Sequence, residues 1–157
     1  MTKQPAYRPL DCDDMERSIQ LCNGIEYLID EFQRAINGKE PNQLYESSYQ
    51  MQLLKIADNL EELIYRLTYL ADKNNKEFYF QHLFSILKSL TIAPNVLIIT
   101  AYYLDPKNEY KRIVNRNTFN FEIEQIVKKI QFIKPVLQSL FNGKKSGVRL
   151  ISKWNFT

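Results

Sequence analysis

Apolar residues recur along this chain at steps of three and four, the spacing of one face of an α-helix. Met15, Ile19, Cys22, Ile25, Ile29, Phe32 and Ile36 form the first such stripe. Asp11, Asp13 and Asp14 place carboxylates at its start, where the helix macrodipole favours them, and Gly38 marks its end. Gly24 falls in mid-helix at a cost of up to about 1 kcal/mol against alanine, as a close helix crossing or as a tolerated defect. After a loop at 38–42, the series Tyr49, Leu53, Ile56, Leu60, Leu63, Leu67 and Leu70 alternates steps of four and three without a break. Leu54, Ala57, Ile64 and Ala71 widen this stripe, as packing in a bundle requires.

A turn at 72–76 leads to a third helix from Glu77, carrying Phe80, Leu83, Phe84, Leu87 and Leu90. The pattern then changes. From Ser89 to Leu104 no residue is charged, and a segment without a polar face is expected to be buried on all sides. It falls short of the roughly 20 apolar residues of a spanning helix and is interrupted by Pro94 and Asn95, so a core element is expected, not a membrane span. Pro94 suits the first position of a fourth helix, with Leu97 and Ile98 both in the core. The β-branched run at 96–100 would also suit a strand, but no second strand is present to pair with it.

Asp105-Pro106 signals the start of a short helix to about Asn115. Thr118 then caps a last long helix with Phe119, Ile123, Ile126, Ile130, Ile133, Leu137 and Leu140 on one stripe. Pro135 predicts a kink near 131–134, and Gly143 predicts the helix end. Residues 1–12, with Pro5 and Pro9, read as an extended arm. Residues 144–157 read as a basic tail, whose Trp154 and Phe156 either dock on the bundle, the favoured reading, or anchor a partner. The pattern as a whole predicts one all-α domain over 1–157, a bundle of five or six helices around a buried central one.

The chain's 157 residues and 45% hydrophobic content are enough for a core without staples. Met1 to Leu10 is polar and proline-bearing, unlike a signal peptide. Cys12 and Cys22 are too few for a disulfide scaffold, and Cys22 lies on an apolar stripe as a buried free thiol would. A reducing, cytoplasmic compartment is the expectation.

Charge changes the picture most. Up to Asp105 there are ten Lys/Arg against fifteen Asp/Glu, a net of −5. From Pro106 onward there are eleven against three, a net of +8. Such asymmetry points to a polyanionic partner or to head-to-tail stacking of like subunits.

Catalytic chemistry finds few hands. His82 is the single histidine and sits on an aromatic-rich helix without a cysteine spaced for nucleophilic catalysis. Helical ribonucleases of the HEPN type carry an arginine shortly before a histidine, and none lies between Arg66 and His82. Three Cys and His residues cannot furnish a four-ligand zinc site, and no Glu-x-x-His motif or glycine-rich phosphate loop is present. Glu61-Glu62 and Glu26/Asp30 read as solvated helix faces. The expectation is a protein that is not an enzyme, with no cofactor, metal or small-molecule substrate.

The basic third supplies the candidate site: Lys107, Lys111, Arg112 and Arg116, then Lys128 and Lys129, then Lys144, Lys145 and Arg149. Tyr102, Tyr103 and Tyr110 lie near the first cluster, and cations beside aromatics suit a nucleic-acid backbone with occasional base stacking. A solvated basic face without a partner has the same composition. Without a base-reading module, binding to DNA or RNA is expected to be indifferent to sequence.

In size, all-helical character, lack of catalytic residues and basic flank, the whole chain resembles the small subunits of CRISPR surveillance complexes. No motif carries the resemblance. It implies a role in antiviral defence as a stacked subunit of a ribonucleoprotein lining the path of nucleic acid. Lys107, Lys111, Arg112 and Arg116 would be its main backbone contacts. The leading expectation is a non-enzymatic nucleic-acid-binding small subunit, partnered by other subunits or copies of itself. The alternative is a helical adaptor or regulator acting through protein contacts.

Overall fold

A computed structural model describes residues 10–73, 78–107 and 116–146. Among the described residues there is no strand, and the architecture is an all-α helical bundle. Its helices are α1 (Leu10–Ile36), α2 (Ser47–Lys73), α3 (Phe78–Leu90), α4 (Ala93–Tyr103) and α5 (Arg116–Ser146), with a 3-10 turn at Pro41–Leu44 between α1 and α2.

The stripes read from the sequence form the core. All seven named positions of α2 and all seven of α5 are buried. So are six of the seven on α1, with Ile19 half-buried at its margin. Leu54 is an exception: it is exposed, because α2 already has neighbours on two sides and Leu54 points to neither. Ile64 is only half-buried. α1 packs against α2 and α5, α2 packs also against α3 and α4, and α3 touches α5 to close the bundle. At one end Phe32 meets Tyr49 and Phe119 edge-on, with ring centroids 6.2 and 5.8 Å apart, joining three helices. Gly38 adopts φ of +79°, the left-handed conformation in which glycine ends a helix.

Helix boundaries depart from expectation in several places. α1 begins at Leu10, inside the expected arm. α5 is helical from Arg116 onward in the described residues, so Thr118 lies inside it and is not its cap. α5 also continues through Pro135 and past Gly143 to Ser146, placing Lys144 and Lys145 in the helix and not in a tail. Packing of a long apolar stripe outweighs one glycine near a helix end, which costs only about 1 kcal/mol. Residues 105–107 are not helical, and the rest of the short helix expected there lies outside the described residues, as do 1–9 and 147–157.

The largest correction concerns the charge-free segment. α3 and α4 follow one another across a two-residue break as one interrupted rod, so among the described residues the bundle has four rods where five or six helices were expected. Pro94 has no N–H to offer the carbonyl of Leu90, and the helix opens at Thr91–Ile92 before resuming. α4 is also not a buried centre. It packs on α2 through Ala93, Pro94, Leu97, Ala101 and Leu104. Its other side faces solvent: Ile92 is 63% exposed, Ile99 52%, Tyr102 66% and Ile98 37%. A helix at the edge of a bundle with one main neighbour has an outer face whatever its composition. By length and composition Ser85–Tyr103 also matches a short membrane span, but Leu87, Leu90, Leu97 and Ala101 are buried within the bundle.

Candidate nucleic-acid interface

α5 carries five of the nine candidate cations, because its apolar stripe leaves the intervening positions for polar residues. Arg116 opens the helix and Lys144 and Lys145 lie in its last turn. They are separated by most of a rod about 45 Å long, at 1.5 Å per residue. A strand of nucleic acid would have to follow that rod to meet both ends. The side chains of Arg116, Lys144 and Lys145 are outside the described residues, as are Lys111, Arg112, Arg149 and Tyr110 altogether.

The cations in the middle of α5 divide by role. Lys128 is exposed. Lys129, its neighbour, turns inward: its Nζ donates to the carbonyl oxygen of Ser89 at 3.2 Å. That carbonyl lies in the last turn of α3, where a cation meets the negative end of the helix dipole. Lys134 donates to Glu26 Oε1 at 3.0 Å and ties α5 to α1. Thus Lys129, expected at the interface, and Lys134 beside it are bound up in holding the bundle together.

Lys107 is exposed just beyond α4, its backbone N–H donating to Asp105 Oδ1 at 2.9 Å. Tyr102 lies exposed shortly before it, packed edge-on against Tyr103 at 6.1 Å. Tyr102 and Lys107 are thus both exposed, five residues apart in sequence, at the C-terminal end of α4. The described residues do not bring Lys107 and Lys128 into contact with each other.

The acidic side of the molecule is organised around one carboxylate. Arg17 donates to Glu62 through Nε and Nη2, both at 2.9 Å, and Arg66 Nε donates to Glu62 at 2.8 Å. Arg66 Nη1 also reaches Asp14 at 2.7 Å, so the four side chains lace α1 to α2. Hydrogen bonds from Arg17 and then Arg66 hold the Glu62 carboxyl down at about 2. Glu62 and Glu26 are therefore not the freely solvated carboxylates that helical position suggested. Asp13, Glu16, Asp30, Glu31, Asp58, Glu61 and Asp72 remain exposed on α1 and α2.

Catalytic geometry does not emerge from the described residues. The His82 side chain lies outside them. Cys22 is buried and unpaired, and burial pushes its thiol up to about 12, far from a nucleophile's range. Among the described residues no three His, Cys, Asp or Glu side chains gather as a metal site would require. A shallow depression of about 300 Å³ between α1 and α5 is lined by Gln33, Ile36, Asn37, Asn120 and Glu124, and offers an anion no cation. What sequence reasoning missed is the outer face of α4, since uniform apolarity gives no sign of which side faces water. No protein family, curated protein or solved structure matches this chain.

Proposed function

We propose that this protein is a non-enzymatic subunit of a larger complex that holds the phosphate backbone of a nucleic acid on its basic C-terminal third. The observation that carries this reading is the segregation of charge. In sequence the net of +8 lies after Asp105, with six Lys/Arg against Glu122 and Glu124 on α5, while exposed carboxylates are concentrated on α1 and α2. A bipolar surface of this kind orients a polyanion toward one side and repels it from the other. Lys107 and Tyr102, both exposed near the end of α4, and Lys128 on α5 are suited to backbone contact with some base stacking. Contacts of this sort recognise phosphate and not sequence. The small subunits of CRISPR surveillance complexes would be one instance of such a role.

The test is binding of single- and double-stranded DNA and RNA, followed by fluorescence anisotropy across a salt series. Contact with about four phosphates gives a log–log salt slope near −3 to −4. Joint charge reversal of Lys111, Arg112 and Arg116 should flatten that slope and weaken binding about equally for every sequence. Lys128→Glu should reduce the slope by about one. Loss of helicity in Lys128→Glu is not expected, since an exposed charge contributes within about 0.5 kcal/mol, and circular dichroism checks the triple variant. Absence of binding by the native protein under low salt would overturn the reading.

A further inference from the structure

The outer side of α4 is chemically unlike the rest of the surface. No charge interrupts it, and Thr100 turns its hydroxyl to its own helix, Oγ1 donating to the Val96 carbonyl at 2.8 Å. Just ahead of it, Thr91 Oγ1 donates likewise to the Lys88 carbonyl at 2.8 Å. Ile92, Asn95, Ile99 and Tyr102 follow one another at steps of three and four, so they form one continuous stripe, with Ile98 at its edge. This stripe lies opposite Leu97 and Ala101, which are fully buried against α2.

We infer that this face docks a second copy of the chain, α4 against α4 in antiparallel register about a two-fold axis. Two observations select that occupant. The first is charge. The face itself is neutral, and its ends are marked by Lys88, exposed one turn before Ile92, and by the half-buried Asp105 just beyond Tyr102. The Asp105 Oδ1 accepts from the Lys107 N–H, and its carboxylate lies between the face and the exposed Lys107. Turned end for end, the face becomes complementary to itself: Lys88 of each copy comes opposite Asp105 of the other. A parallel pairing would set like charges together. The same register puts Ile92 opposite Tyr102 and Asn95 opposite Ile99.

The second observation is area. At their observed exposures, Ile92, Ile98, Ile99 and Tyr102 leave on the order of 450 Å² in solvent, as large as the largest patch on a typical monomer. Counted on both copies and extended by Asn95, Val96 and Tyr103, the contact reaches about 1,200 Å², the lower bound of a specific interface. The dimer is accordingly weak and reversible. The symmetric use of one patch closes the assembly at two copies. It differs in this from charge-driven head-to-tail stacking, which would not close. It uses none of the candidate cations and covers, of the proposed nucleic-acid contacts, only Tyr102, so loss of the dimer leaves the phosphate contacts in place and failure of nucleic-acid binding leaves the dimer.

Sedimentation of the full-length protein over a hundredfold concentration range tests this, at ordinary and at high salt. The expected result is a monomer–dimer equilibrium that survives high salt. A charge-swap pair tests the register: Ile92→Lys with Tyr102→Lys in one preparation, Ile92→Glu with Tyr102→Glu in the other. All four changes are at exposed positions, and circular dichroism confirms that both variants fold. Each variant alone should dimerise at least tenfold more weakly than the native protein, and an equimolar mixture should recover the dimer. A native protein monomeric throughout would overturn the inference, as would association that disappears at high salt. A mixture of folded variants that stays monomeric would overturn it too. So would a monomer that floats with neutral phospholipid vesicles, which would make the partner a lipid surface.

Discussion

Leu97 and Ile99 lie two residues apart in the charge-free stretch of α4, and truncating them should have very unequal consequences. Leu97 is fully buried against α2, whereas Ile99 is 52% exposed. Leu97→Ala removes three buried carbons, about 2.4 kcal/mol of transfer free energy at about 0.8 per group. A residual cavity adds to that, for a total of about 3–4 kcal/mol. At Ile99 the same three carbons are about half in water already, so the loss is about 1 kcal/mol. No cavity forms there, and alanine's better helix propensity returns about 0.4 kcal/mol. The net cost of Ile99→Ala is thus about 0.5 kcal/mol, and that of Ile98→Ala, at 37% exposure, about 1 kcal/mol. Urea unfolding followed by circular dichroism resolves this difference. With a slope of about 2 kcal/mol/M, Leu97→Ala lowers the midpoint by about 1.5–2 M and Ile99→Ala by about 0.3 M. The measurement belongs at low micromolar protein, where self-association contributes least. Equal losses at 97 and 99 would refute the orientation of α4 and with it the docking face.

Other substitutions probe the remaining parts of the fold. A Cβ built on Gly24 meets nothing within 4 Å, so Gly24→Ala should raise the urea midpoint, by about 0.5–1 kcal/mol of helix propensity; a loss would mean that the site is crowded after all. Ser18 is buried with a hydroxyl that has no hydrogen-bond partner, and Ser18→Ala should stabilise the protein by about 1 kcal/mol; destabilisation on thermal melting would show that the hydroxyl is satisfied. Glu62 is held down from 4.5 to about 2, so its contribution is complete above its unfolded value and is lost as pH falls through about 2. Glu62→Gln should therefore cost about 1 kcal/mol at neutral pH, with the gap to the native protein shrinking below pH 4.5 and gone near pH 2; a constant gap would assign the loss to packing.

The sequence by itself determined that the chain is helical and which side of each amphipathic helix turns inward. Met15 to Ile36, Tyr49 to Leu70 and Phe119 to Leu140 were legible because burying an apolar stripe is a local demand, met once the 3.6-residue period is set. The basic character of the last third was legible for the same reason, being a matter of composition. Which cations remain available was not. Lys129 and Lys134 look no different in sequence from Lys128, and only the approach of Ser89 and Glu26 from other helices decides that they are engaged. Glu62 likewise meets Arg17 only through the crossing of α1 and α2, although its pairing with Arg66 follows from their i,i+4 spacing on α2.

The tertiary structure decided most at α4. A uniformly apolar helix carries no periodic signal, so its sequence is compatible with burial on every side or on one. Pro94 broke the rod, and α4 was left with α2 as its main neighbour. One neighbour can cover only one side of a helix, so half of the most apolar stretch in the chain faces out.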